Sequence, residues 1–278
     1  MSRYAGPLLT RDIAELLAAA RDAGRPAWRG TLDLGATQAD ALLHADRWEW
    51  RDWSFPYPAR LKDRTVYWWD GEGFEPASRY RGSLIKLVPT EWQVPTFEID
   101  GIKMLPTARE SPLDDARRKV GLVQPRGRHV LDTCGGLGYF ARCCLEEGVA
   151  RIESFEKNED VLWLRWLNPW SPDPEASDGR LQLAHADVAQ AITRLADAAF
   201  DAVLHDPPRF GIAGDLYSRE FYDQLARVLR RGGRLFHYTG SPNKLTSGRD
   251  VPREVARRLQ AAGFRAELAL DGVLAVRR

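Results

Sequence analysis

Three cysteines in 278 residues, two of them adjacent at Cys143 and Cys144, leave no even set from which to build a disulfide framework. No Cys/His cluster has zinc-site spacing, and the five histidines (44, 129, 185, 205 and 237) are scattered, so no metal is expected. No run of about 18 apolar residues occurs, which argues against a membrane span. The N-terminal MSRYAGPLLTRDIAELLAAA lacks a signal-peptide core, because Arg11, Asp12 and Glu15 interrupt it; a cytoplasmic location is the default expectation. An excess of charge is missing too. The formal net charge is +1, with 15 basic and 16 acidic residues up to position 110 and 25 and 23 beyond it. Neither part has the surplus positive charge that grips a nucleic-acid backbone. A small-molecule or peptide-sized partner is favoured, and RNA stays open because net charge hides patches.

What is present is an ordinary globular composition, 44% hydrophobic and 28% charged, in a chain long enough for one domain plus a smaller one. Residues 1–110 read as an α+β domain rich in tryptophan, with seven of the ten tryptophans between Trp28 and Trp92. Residues 10–23 form an amphipathic pattern with Leu9, Ile13, Leu16, Leu17 and Ala20 on one stripe, and 37–46 read as a second helix with Thr37 as its N-cap. Asp70-Gly71 and Asp100-Gly101 mark two hairpins. The tryptophans read as the core of this domain, with a few lining a substrate pocket as the alternative.

From residue 111 the pattern becomes short apolar runs alternating with amphipathic helices, the mark of βαβ units. Five such units close with a hairpin at Asp271-Gly272. The expected fold is α/β, a doubly wound sheet of seven strands with a reversed edge strand. Ligands of such sheets bind outside the carboxyl ends of the strands, and each polar motif falls there. Asp132-Thr-Cys-Gly-Gly-Leu-Gly138 follows strand one; its glycines permit a sharp turn and close approach to a ligand, which alone indicates only a nucleotide site. Glu156 ends strand two, where a carboxylate can accept from both hydroxyls of a ribose. Asp187 follows strand three and suits an adenine amino group, with a helix N-cap as the plain alternative. His205-Asp206-Pro207-Pro208-Arg209-Phe210 follows strand four, and its prolines fix Asp206 where it can orient an attacking amine and take up its proton.

The order DTCGGLGY, FEKN, HADV and FDAVLHDPPRF resembles a class I S-adenosylmethionine (SAM)-dependent methyltransferase across residues 114–278. LDTCGGLGYFA, LNPWS, HDPPRFGIAGDLYSREFY and GGRLFHYTGSP are similar to a group of predicted methyltransferases found largely in archaea. The resemblance implies SAM as cofactor in a Rossmann-like domain, held by Asp132, Gly136, Gly138, Glu156 and Asp187, with Tyr139, Lys157 and Val188 beside them and Asp206 at the reaction centre. Tyr217 and His237 are candidate catalytic groups. Arg209 and Tyr238 are candidate substrate contacts, Arg209 pairing with a substrate carboxylate or with Asp206, or else forming a surface ion pair. By alternation His237 and Tyr238 face opposite sides of their strand. Cys134 stands where many of these enzymes have glycine, either as a small core-facing thiol or as a nucleophile. Asn168-Pro169-Trp170-Ser171 reads as a helix C-cap and plug. A second resemblance, in PTFEIDGIKMLPTARESPLDDARRKV, is to the hairpin before the fold of spermidine synthases, which transfer an aminopropyl arm; the chain lacks their glycine run and their aspartate pair after strand four. The expected activity is N-methylation of an amine on a small molecule or a base. The alternatives are transfer of SAM's aminopropyl or aminocarboxypropyl arm with release of methylthioadenosine, and a SAM-binding module without catalysis.

Overall fold

Residues 3–208, 213–240 and 250–278 are described by the computed structural model. They form two units, one of residues 1–112 with Trp163–Ser171 and one of Leu113–Leu162 with Pro172–Arg278.

In the first unit the elements are β1 (Leu8–Leu9), α1 (Arg11–Asp22), β2 (Ala27–Gly30), β3 (Ala39–Leu43), β4 (Arg47–Trp50), β5 (Trp53–Pro56), β6 (Tyr67–Trp69), β7 (Phe74–Pro76), β8 (Ser78–Tyr80), β9 (Leu84–Val88), β10 (Thr96–Ile99) and β11 (Ile102–Lys103). Thr10 starts α1 by accepting from Ile13 N at 3.4 Å. The helix buries Ala14, Leu17 and Ala20, while Leu16, expected on the same stripe, faces outward. The expected helix over 37–46 is a strand instead. Ala39, Ala41 and Leu43 are buried and Asp40 and Leu42 exposed, so the apolar period there is two. Thr37 caps no helix; its N–H and hydroxyl both donate to Asp33, at 2.9 and 2.6 Å. Both expected hairpins are present, β6 with β7 and β10 with β11. Three small sheets result, in the orders β2-β3-β4-β5, β1-β6-β7 and β11-β10-β9-β8. Trp28, Trp48 and Trp50 pack in a core with Leu17, Leu32 and Phe55, whereas Trp53 is exposed.

The second unit carries α2 (Pro112–Val123), β12 (His129–Asp132), α3 (Tyr139–Glu146), β13 (Arg151–Glu156), α4 (Glu159–Leu167), β14 (Leu181–His185), α5 (Val188–Ala191), β15 (Phe200–His205), α6 (Arg219–Val228), β16 (Leu229–Tyr238), α7 (Val251–Ala261), β17 (Phe264–Ala269) and β18 (Gly272–Arg277). The end of α4 and the turn after it belong to the first unit, where the Trp163 and Trp166 rings lie 5.7 and 6.1 Å from that of Trp68. In that turn Asn168 is fully buried and its side chain accepts from Trp170 N at 3.1 Å.

The seven strands of the second unit run in the order β14-β13-β12-β15-β16-β18-β17. The first five are parallel, and β18 is antiparallel to both of its neighbours. The reversed strand is therefore the last in sequence and second from the edge, not the edge strand expected. It slots in because Gly272 lies against β16: a Cβ there would stand 2.2 Å from His237 O. The middle strands are near-continuous apolar runs, as burial on both faces requires. Leu131, Val203, Leu235, Leu225 and Leu259 share one core.

Two histidines lie inside that core. His205 Nε2 is 3.1 Å from Leu216 O, an acceptor only, so this nitrogen carries the proton and Nδ1 accepts from the Thr133 hydroxyl at 2.7 Å. His237 Nδ1 donates to Tyr238 O at 2.7 Å, and its Nε2 accepts from Tyr222 at 2.9 Å. The two rings meet edge to face at 4.4 Å. Burial holds His205 well below the usual histidine range and pushes His237 down to about 4. This corrects the expectation of His237 as a base: it has no exposure and both ring nitrogens are committed to the fold. A histidine that is neutral in the fold takes up a proton more readily once unfolded, so its contribution is present above pH 6.5 and lost as pH falls towards 4. Comparing wild type with His237→Asn cancels the opposite trend of any buried carboxylate common to both. In urea titrations, wild type is expected to lose more stability than the variant between pH 6.5 and 4, by on the order of 3 kcal/mol at about 1.4 kcal/mol per pKa unit. Equal slopes would overturn this.

Candidate active site

Strand register lines the polar motifs up along one edge of the sheet. Asp132 pairs with Ser154 and Leu204, Glu156 with His185, and His205 with His237. The carboxyl ends of β12 to β16 therefore present, side by side, the loop after Asp132, Glu156, the turn at Asp187, Asp206 and Tyr238. Asp132 is fully buried and accepts from the Ser154 hydroxyl at 2.8 Å.

The loop after β12 is tightly built. Thr133 N donates to Leu204 O, Gly135 N to Phe155 O at 2.7 Å, and Gly138 N to Gly135 O at 2.7 Å. Gly136 and Gly138 have φ of 48° and 83°, the left-handed region that favours glycine. Cys134 lies outside that region and so tolerates its side chain. Glu156 buttresses the loop: one carboxylate oxygen accepts from Gly136 N at 2.9 Å and the other from Asn158 N at 2.8 Å. Gly138 caps α3 without a side-chain acceptor, and Tyr139, the first residue of that helix, is buried. A glycine cradle leading into a helix N-terminus whose cap residue has no side chain fits the close approach of a polar ligand.

The other expected cofactor contacts take these places. Asp187 is the N-cap of α5, accepting from Ala189 N at 2.9 Å, and Lys157 Nζ lies 3.9 Å from its second oxygen. Val188 is buried behind it. Burial pushes the Cys134 thiol well up, and the carboxylates of Glu156, Asp206 and Asp132 add to this. The thiol therefore stays protonated, which speaks against the nucleophile reading.

Asp206 is half-buried at the end of β15. Burial above all, with the charges of Asp115, Asp271 and Asp132, raises its carboxyl to about 7 against the pull of Lys119. A carboxylate poised near neutrality is suited to exchange a proton with a bound group. Tyr217 is buried and donates to Pro208 O at 3.2 Å, which braces the turn carrying Asp206; burial and the charge of Asp206 keep its phenol protonated. Tyr238 turns away from His237, as alternation requires, and its ring covers the ammonium of Lys119 at 4.1 Å. Arg209 and Phe210 lie outside the described residues. Sequence reasoning missed Lys119, Asp115, Asp271 and Tyr222. The one local signal was Asp115 and Lys119 at i, i+4 on a helix, a spacing usual on solvated faces. Among the described residues no group of His, Cys, Asp or Glu is placed to hold a metal, and no helix is long and apolar enough to cross a membrane.

No family model matches the chain. Among solved structures it is similar to a spermidine synthase in complex with the transition-state analogue AdoDATO, with a TM-score of 0.57 and 16% identity over 72% of this chain and 73% of that one. This likeness shows the fold. Polyamine aminopropyltransferase 1 of Streptomyces coelicolor is 36% identical over 143 residues, 48% of this chain; the chain spans about a quarter of that protein's length, 27%. The uncharacterized protein MJ1233 of Methanocaldococcus jannaschii is 45% identical over 213 residues, covering 75% of this chain and 72% of that one. At that identity and coverage the chain belongs to the MJ1233 family.

Proposed function

We propose that the chain is a SAM-dependent transferase that moves a SAM-derived group to an amine of a small or peptide-sized acceptor. The observation that carries this reading is Asp206: a carboxylate held near neutrality at the end of β15, on the edge that also carries the Glu156-buttressed glycine loop. SAM supplies an electrophilic carbon on a sulfonium. The chain supplies the rest. The glycine loop and the start of α3 would receive the polar end of the cofactor, and Glu156 and Asp187 would accept from its ribose and its base. Asp206 orients the amine through its N–H and accepts the proton released as the carbon–nitrogen bond forms. Tyr217 holds the Asp206 turn in place. Bound SAM would supply the transferred carbon, and its sulfur would keep the electron pair of the carbon–sulfur bond given up.

Methyl transfer is the first reading, and it rests on the motif wording of the second unit. Transfer of the aminopropyl arm is the second, favoured by the likenesses to a spermidine synthase and to an aminopropyltransferase. The products separate them: S-adenosylhomocysteine from the first, methylthioadenosine from the second. Incubation with SAM or decarboxylated SAM and a panel of amines, read by mass spectrometry, is expected to give one of the two. Bound but unchanged SAM would favour a module without catalysis.

Asp206→Asn is expected to lower turnover at least 100-fold with SAM affinity within threefold of wild type, since only the proton acceptor is lost. Full activity in that variant would overturn the assignment. Glu156→Ala strips the acceptor from two backbone N–H groups and from the ribose. It is expected to weaken SAM binding in calorimetry by tenfold or more, about 1.4 kcal/mol; unchanged affinity would remove Glu156 from the cofactor site.

A further inference from the structure

The charge cluster beside Asp206 includes a buried lysine. Lys119 projects from α2 and is 1% exposed. Its Nζ is 2.7 Å from Asp115 Oδ2, 3.3 Å from Asp271 Oδ2 and 4.1 Å from the centre of the Tyr238 ring. Two carboxylates and an aromatic face make a cage for an ammonium ion, and here the chain's own lysine fills it. The cage lies at the reactive edge. His205 pairs with His237 and Tyr238 with Gly272, so Asp206 follows beside Tyr238 and Asp271 precedes it on the other side.

We propose that Lys119 is a positioning residue for group transfer: clamped by Asp115, Asp271 and the ring of Tyr238, the residue beside which strand register sets Asp206, its ammonium readies that carboxylate for the acceptor amine. The role rests on the transferase reading above. Burial works to lower the proton affinity of Lys119; the charges of Asp206, Asp115 and Asp271 outweigh this and hold it above the ordinary value. Lys119 thus stays charged across the working range and favours the ionised form of Asp206. Among the described residues, the groups that act on the two are Asp115 on α2, Asp271 in the β17–β18 turn, Tyr238 on β16, Asp132 on β12, Tyr217 before α6 and Cys134 in the glycine loop. Of these the three aspartates oppose ionisation of Asp206, so the lysine is the group whose removal shifts it upward.

The test uses two variants that move Asp206 in opposite directions. Its carboxyl is followed by NMR in protein labelled with 13C-aspartate, the Asp206 signal being assigned through Asp206→Asn. Wild type is expected to titrate near 7, Lys119→Met at least one pH unit higher, Asp271→Asn lower, and Lys119→Arg close to wild type. The acid limb of the rate profile is expected to move in parallel. Lys119→Met then loses about fivefold or more in rate at pH 7 and recovers most of it by pH 9. A loss independent of pH, or an Asp206 titration indifferent to both substitutions, would overturn the proposal. If Lys119→Met fails to fold, Lys119→Arg and Asp271→Asn decide it alone. The NMR titration needs no turnover, so it stands or falls separately from the product analysis that tests the transferase reading.

Discussion

The parallel hydrogen-bond register of β12 to β16 is the constraint on which the site depends. A parallel ladder forces every strand to end at the same side of the sheet, so five loops open along one line. One residue of slip in β15 would move Asp206 off that line and turn His205 out of the core. The register is held by apolar side chains buried on both faces of the middle strands, and at the edge by Thr133 N on Leu204 O and Gly135 N on Phe155 O. Packing and chemistry are therefore not separable here: the hydrogen bonds that close the sheet also aim the glycine loop.

Buried charge sets the character of the edge. A lone ammonium in this interior would be strongly disfavoured, and so would a lone carboxylate. Lys119 and Asp115 are tolerated together because they meet at hydrogen-bond distance, and Asp271 is a second carboxylate on the same ammonium. Such a set contributes little net stability compared with apolar residues of like volume, and removing a single member is the costly change. Its value lies in fixing a field at Asp206. The histidines on the inner side play the opposite part. They are held neutral, with tautomers fixed by Leu216 O and Tyr238 O, and add no charge to that field.

Much of this was legible in the sequence. The βαβ order and the places of the glycine loop, Glu156 and Asp206 at strand ends follow from local patterns, because each sits where a short apolar run ends in a polar turn. The hidden parts depend on contacts that no local pattern records. Asp115 and Lys119 look like an ion pair on a wet helix face, and only the return of the chain at Asp271 and the ring of Tyr238 shows that the face is buried. Residues 37–46 satisfy a helical cap pattern as well as a strand alternation, and pairing with β2 and β4 decides for the strand. His237 reads as a base until Tyr222, fifteen residues upstream on α6, is seen to occupy its Nε2.

Gly272 has a wider reach than its size conveys. It permits β18 to lie directly on β16, and the residue before it, Asp271, is one of the two carboxylates on Lys119. A methyl group at 272 would collide with the backbone of His237, and the cheapest relief is to peel the turn outward, taking Asp271 with it. The electrical balance at the far side of Tyr238 is thus governed by a steric vacancy: an uncharged residue with no side chain determines how many negative groups the lysine must serve.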